Sequence, residues 1–256
     1  VSILLVPARA IAQEVRHKKA CSWTGRIPTW GWVRVHNLNG GVDVQRGTGA
    51  DTEVTAEKKW RRGDPGDVRF EVIKDGDNVT ICALWFGQSS CDADGYHTRG
   101  EKGDRERRNN DVNVHFTVKL PRGVKVLTRT VNGGIGIRGA SAEAIAHTVN
   151  GKVDIATATG PVEASTVNGS VRVRMDEIAG TGDMDFSTVN GSVTVEAPAS
   201  LNAEVRMSTV NGGVSTDYPL TITGRIQRKS LRGTIGTGGR LIRLSTVNGS
   251  VELRKL

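Results

Sequence analysis

Three groups of residues in this 256-residue chain have the types that do chemistry. Asp183 and Asp185, with Glu163 nearby in the pattern, are its closest approach to the paired carboxylates that polysaccharide hydrolases and lyases use. The neighbouring acids Asp154, Asp176, Glu177, Glu196, Glu204 and Asp217 mostly fall singly at outward positions. Asp92-Ala93-Asp94-Gly95 opens like a calcium loop, but the other ligand positions of such a loop are missing. The histidines His17, His36, His97, His115 and His147 are scattered, and there is no CxxC, so zinc is not expected. No nucleophile elbow or phosphate loop is present, and Gly133-Gly134-Ile135-Gly136 reads as a chain corner. These patterns predict a non-enzymatic protein that needs neither cofactor nor metal.

Cysteines and termini speak about location. Cys82 and Cys91 have a spacing that closes a hairpin by a disulfide in an oxidising compartment, leaving Cys21 over. Residues 1–12 form a short apolar run ending Ala10-Ile11-Ala12, which reads as the remnant of an export signal; the alternative is a buried first strand. No later segment approaches the roughly 20 apolar residues of a membrane-spanning helix. An extracytoplasmic location, periplasmic, surface or secreted, is therefore expected.

Charge is concentrated near the C-terminus. Arg225, Arg228, Lys229, Arg232, Arg240, Arg243, Arg254 and Lys255 face Glu252 as the lone acid after residue 224, in a chain of net charge +8. Such an end suits an anionic envelope polymer, while a solubilising cap is the plainer account. Nucleic acid is not expected, because no aromatic residues accompany these cations and the compartment is wrong.

The elements that must position these groups come from a repeat. The phrase T-V-N-G or a close variant places Asn132, Asn150, Asn168, Asn190, Asn211 and Asn248 at steps of 16 to 22 residues, once a degenerate copy at Ser230–Ile235 is counted. So short a step leaves room for one coil of a β-solenoid, in which each coil stacks on the last at the roughly 4.8 Å spacing of paired strands. Glycines midway between the Asn-Gly pairs, such as Gly160, give each coil two strands and two corners. Alternation along Leu201–Asn211 and its homologues turns Thr130, Thr148, Thr166, Thr188, Thr209 and Thr246 inward together with the asparagines. The same alternation turns Val131, Val149, Val167, Val189, Val210, Leu231 and Val247 outward, as an apolar column that is a candidate contact surface or a site of self-association.

An earlier copy, Trp32–Val44, puts Leu38 in the column and Asn39 at the corner. Alternating strands follow it to residue 121, with a polar loop at 88–110 that reads as a solvated hairpin tip. The division is thus 1–12, a β-hairpin-rich part at 13–121, and solenoid repeats at 122–256. The low aromatic content of 4% and the 32 glycines fit such an all-β chain of short strands and tight turns.

The T-V-N-G corners, the early Asn37-Leu38-Asn39-Gly40-Gly41-Val42 segment, the Phe116–Val124 entry and the export-like start resemble the bacterial putative-adhesin β-repeat family, a domain of unknown function. The resemblance spans about residues 31–256, with Arg232 departing from the corner asparagine. It implies a right-handed β-helix-like architecture, an extracytoplasmic location and no established enzymatic activity. The partners to expect are an anionic envelope polymer, a surface glycan or another protein.

Overall fold

Val, Ile and Ala alternating with polar residues suit pleated strands that bury one face. The structure is a computed structural model that describes residues 11–15, 19–85, 88–98, 110–157, 159–222 and 229–256. Among these residues the runs form strands and one 3-10 turn at Pro65–Asp67, with no α-helix, and hence no helix long and apolar enough to cross a membrane. The first strands are β1 (Ile11–Val15), β2 (Ala20–Gly25), β3 (Trp32–His36), β4 (Val42–Arg46) and β5 (Thr52–Lys59). Then come β6 (Arg69–Asp75), β7 (Asn78–Leu84), β8 (Gln88–Cys91), β9 (Tyr96–Thr98) and β10 (Asn113–Leu120). The repeat region holds β11 (Lys125–Arg129), β12 (Ile135–Arg138), β13 (Ala144–His147), β14 (Val153–Thr157), β15 (Val162–Asn168) and β16 (Val171–Met175). It continues with β17 (Met184–Asn190), β18 (Val193–Ala197), β19 (Ala203–Asn211), β20 (Val214–Thr216), β21 (Ser230–Ile235), β22 (Leu241–Asn248) and β23 (Val251–Lys255).

Two sheets carry nearly all of them. The first has the order β1-β6-β7-β3-β11-β13-β15-β17-β22-β19-β21 and the second β2-β5-β10-β4-β12-β14-β16-β18-β23-β20, while β8 and β9 form a separate hairpin. A coil gives one strand to the first sheet, bends at its Asn-Gly corner, and gives the next strand to the second. Neighbouring coils pair in parallel with like residues in register, Thr166 beside Thr188 and Val171 beside Val193. This is the all-β, solenoid-like architecture expected of the repeat. The inner faces meet through small side chains such as Ala144, Ala146, Val153 and Ile155, all buried. A gap of about 10 Å between facing sheets is filled by such residues, which is why few aromatics are needed.

Antiparallel strands close the N-terminal end of both sheets and, through β21, the far edge of the first, while the second sheet ends on the parallel strand β20. At one end β5 pairs with β2 and β10, and β6 with β1 and β7. Phe70 and Phe116 pack edge-to-face there at 6.1 Å. Residues 1–10 of the export-like segment lie outside the described residues, and Ile11 and Ala12 open β1 opposite Lys74 and Ile73.

Three expectations are corrected. The coils do not stack in chain order, because β22–β23 lies between β17–β18 and β19–β20. The cause is β21, which folds back antiparallel on one edge of β19 and leaves the other edge for the returning chain. The Ser230–Ile235 segment is therefore an edge strand, not a coil. Its Leu231 sits opposite the buried Met207 and packs on the core instead of joining the outward column. Nor do the asparagines point inward: Asn132, Asn150, Asn168, Asn190, Asn211 and Asn248 are exposed. Strand parity stops applying where the backbone bends out of the sheet at the corner.

Candidate functional site

The phrase T-V-N-G resolves into four columns. Each threonine is buried, at 4% to 6% exposure, and its hydroxyl donates to a corner-glycine carbonyl in the adjacent coil. Thr148 donates to Gly133 at 2.8 Å, Thr166 to Gly151 at 2.8 Å, Thr188 to Gly169 at 2.7 Å and Thr246 to Gly191 at 2.8 Å. Thr209 donates to Gly249 at 2.9 Å and Thr130 to Gly40 at 2.9 Å. Outside them the asparagine amides form a ladder at 2.8 Å, in the order 39, 132, 150, 168, 190, 248, 211. That order repeats the displaced position of the last coil.

A buried carbonyl that loses its donor costs about 1–3 kcal/mol, whereas a change at an exposed position usually stays within about 0.5 kcal/mol. Thr166→Val should therefore lower unfolding stability by about 1–3 kcal/mol, while Val167→Thr, one residue on, leaves it nearly unchanged. Paired denaturant titrations of the two variants check this.

The outer face of the first sheet carries transverse rows set by the register. Val149, Val167, Val189, Val247 and Val210 are 37% to 55% exposed, and Val131 is half-buried. Beside this apolar row run His36, Arg129, His147, Ser165, Ser187, Ser245, Ser208 and Ser230 on successive strands.

At the N-terminal end of that row the β8–β9 hairpin covers a cleft of about 260 Å³ lined by His36, Tyr96, Arg129, Val131, His147 and Val149 among others. The Cys82–Cys91 disulfide ties the hairpin to β7. Tyr96 donates to the Ala83 carbonyl at 3.0 Å, and Arg129 donates to the Asp94 carbonyl at 2.5 Å. Asp92 bonds His97 at 2.6 Å and accepts from the backbone of Asp94 and Gly95, contacts that hold its carboxyl below the usual range. No group of three or more metal-ligating side chains occurs among the described residues. Of the loop read at 88–110, residues 88–98 form this hairpin and 99–109 lie outside the described residues. Cys21 is a buried free thiol on β2.

His147 bonds Ser165 at 2.6 Å and stands 3.5 Å from Glu163. Burial, helped by Arg129, pushes the His147 pKa down; burial, helped by the facing Asp185, pushes Glu163 up. The trio has the residue types of a hydrolytic triad, but Ser165 lies mid-strand between two hydrogen-bonded neighbours. The strand backbone on both sides of it is engaged in pairing with β13 and β17, where an oxyanion site needs free backbone donors.

The basic end separates into parts. Arg225 and Arg228 lie outside the described residues. Lys229 donates to the Val210 carbonyl at 2.6 Å, and Arg240 donates to the Gly180 carbonyl. Arg254 pairs with Glu252 at 2.5 Å on the second sheet, and the Lys255 ammonium lies 5.3 Å from the Tyr218 ring. Arg243 and Arg232 belong to the first sheet, where Arg206, absent from the charge pattern of the C-terminal segment, lies between them. Arg243 is 3.4 Å from Asp185, but Arg206 and Arg232 have no ion pair among the described residues. Arg206 belongs to an earlier coil, so a charge count by chain segment misses it; the common R-x-S spacing of Arg206-Met207-Ser208 and Arg243-Leu244-Ser245 is the signal that could have found it.

Comparison with known proteins places this geometry. No curated protein matches the chain. Among solved structures it is similar to a putative cell adhesion protein from Clostridium sporogenes, at 9% identity and a TM-score of 0.42, over 93% of this chain and 100% of that one. It is also similar to a putative adhesin from Bacteroides fragilis, at 10% identity and a TM-score of 0.38, over 94% and 98% of the two chains. Likeness at this level carries no argument about function. The Toastrack DUF4097 family model matches residues 33–254, from the first coil to the last strand. The chain belongs to the Toastrack DUF4097 family.

Proposed function

We propose that this protein is an exported, non-catalytic β-solenoid that binds or scaffolds at the cell envelope, with Arg206, Arg232 and Arg243 as its contact to anionic polymer. The observation that carries the reading is the arginine row itself. Like charges directly opposite one another across strands are destabilising, yet Arg206 faces Arg232 and adjoins Arg243; of the three only Arg243 has an ion pair among the described residues, and Glu204, two residues before Arg206 on the same face, is the one other acid beside it in the row's strands. A phosphate- or carboxylate-bearing chain lying across these strands supplies the missing counter-charge, and Ser208, Ser230 and Ser245 in the next row add hydroxyl donors. The Cys82–Cys91 disulfide supports the extracytoplasmic part of the reading.

Changing Arg206 and Arg232 together to Glu should weaken binding to immobilised lipopolysaccharide or lipoteichoic acid at least about tenfold, and raising salt from 0.05 to about 0.3 M should weaken the wild type in the same direction. Retained binding by the folded double variant overturns the assignment.

The exposed valine row favours a second reading, self-association through that stripe. Sedimentation of the wild type decides it: a concentration-dependent mass that Val189→Lys with Val210→Lys abolishes supports this reading, and a strict monomer removes it.

A further inference from the structure

Trp30 is 69% exposed, the most exposed large apolar residue among those described. It is also the one non-glycine residue with positive φ among them, at +73°. The Gly31 amide donates to the Pro28 carbonyl at 3.0 Å, which closes a four-residue turn with Trp30 third, and the Trp30 amide is fixed to the Gly123 carbonyl at 2.8 Å. A positive φ at the third position of a turn is ordinarily met by glycine or asparagine. An indole there is unfavourable twice, through backbone strain and through an apolar ring left in water.

What surrounds the ring suggests what it does. The Lys125 ammonium lies over it at 5.8 Å from the ring centroid and over Trp32 at 5.1 Å. Lys125 is in turn 2.9 Å from Glu143. The two rings therefore adjoin a charge-neutral pair that holds both donors and acceptors, and Trp30, at 69% exposure, keeps most of its ring surface in water. A pyranose matches these features together: its C–H face stacks on an indole, and its hydroxyls both give and accept hydrogen bonds. Arg34 also lies over Trp32, at 5.6 Å, but it has Asp75 and Asp94 near it as Lys125 has Glu143, so an anionic ligand gains little from either cation. We propose that Trp30, with Trp32 and the Lys125–Glu143 pair, is a binding platform for a neutral saccharide, a site separate from the arginine row.

The positive φ makes a clean test available. Trp30→Gly removes the ring and relieves the backbone, so Tm should hold or rise while binding is lost. The probes are tetrasaccharides of β-1,4-glucose, β-1,4-N-acetylglucosamine, α-1,4-glucose and α-1,6-mannose, read by tryptophan emission and by calorimetry. The expected result is that at least one binds the wild type, that Trp30→Gly weakens it about tenfold or more, and that Trp60→Ala and the Arg206/Arg232 double variant bind as wild type. Equal binding by Trp30→Gly, a fall of several degrees in its Tm, or no response to any of the four overturns the proposal. Loss of polypeptide capture in Trp30→Gly without a saccharide response would instead make the ring a protein contact.

Discussion

Gly191→Ala is expected to destabilise the protein by about 3 kcal/mol or more, the upper end of what overpacking costs. A Cβ at this position would stand 2.0 Å from the Gly169 carbonyl oxygen of the adjacent coil, and φ is +153°. The clash is with backbone, and it cannot be relieved by rotating a side chain. Moving the coils apart stretches the Asn190–Asn168 and Thr188–Gly169 hydrogen bonds at once. The effect should appear as a lowered midpoint in guanidinium unfolding. Gly213→Ala is the control: no atom lies within 4 Å of its added carbon, and a change of about 0.5 kcal/mol or less is expected. Equal costs at the two sites would show that stack contact is not what makes the corner glycine necessary.

Lowering the pH from 6.5 to 4 should remove about 3 kcal/mol of stability through His36 alone. Its side chain is 1% exposed, and burial lowers its pKa to about 4, with Arg129 and Arg34 adding to the effect. Among the described residues neither ring nitrogen has a hydrogen-bond partner of ordinary geometry; the Ala93 backbone and Asp92 of the covering hairpin only partly favour the charged form. Because the folded pKa is depressed, the unfolded chain binds the proton first. The stabilisation is complete above the ordinary pKa of about 6.5 and is lost as the pH falls toward 4. Carboxylates add their own acid dependence, so the informative quantity is the difference in slope between wild type and His36→Gln. If the two slopes agree over this window, His36 is not held neutral. Tyr96 packs edge-on against His36 at 6.1 Å, so the hairpin over the cleft should be the first part to loosen, visible as faster amide exchange in β8 and β9.

How much of this was legible can be judged residue by residue. The inward threonines and outward valines follow from alternation, because in a strand the direction of a side chain depends only on parity along its own backbone. The Asn-Gly corner follows from spacing. The asparagines were assigned to the wrong side because they sit at the bend, where parity gives way to the geometry of the turn. Leu231 and Arg232 were misassigned for a different reason: Ser230–Ile235 resembles the repeat locally, and its antiparallel pairing with β19 depends on what lies across the sheet. Trp30 carries no motif, and its strain exists only in the folded turn.

By itself, then, the sequence determined the two-sheet coil, the number of residues per turn of it from Asn132 to Asn211, and that the threonine of the repeated phrase faces the core and the valine faces out. These are local properties of backbone period and turn chemistry. Tertiary structure alone decided the order of the coils, and with it the arginine row: Arg206 and Arg243 become neighbours because the last coil enters between two earlier ones. Identical repeats present nearly identical edges, so local patterning scarcely distinguishes one neighbour from another. The choice falls to β21, which occupies the far edge of β19 and leaves its near edge for β22.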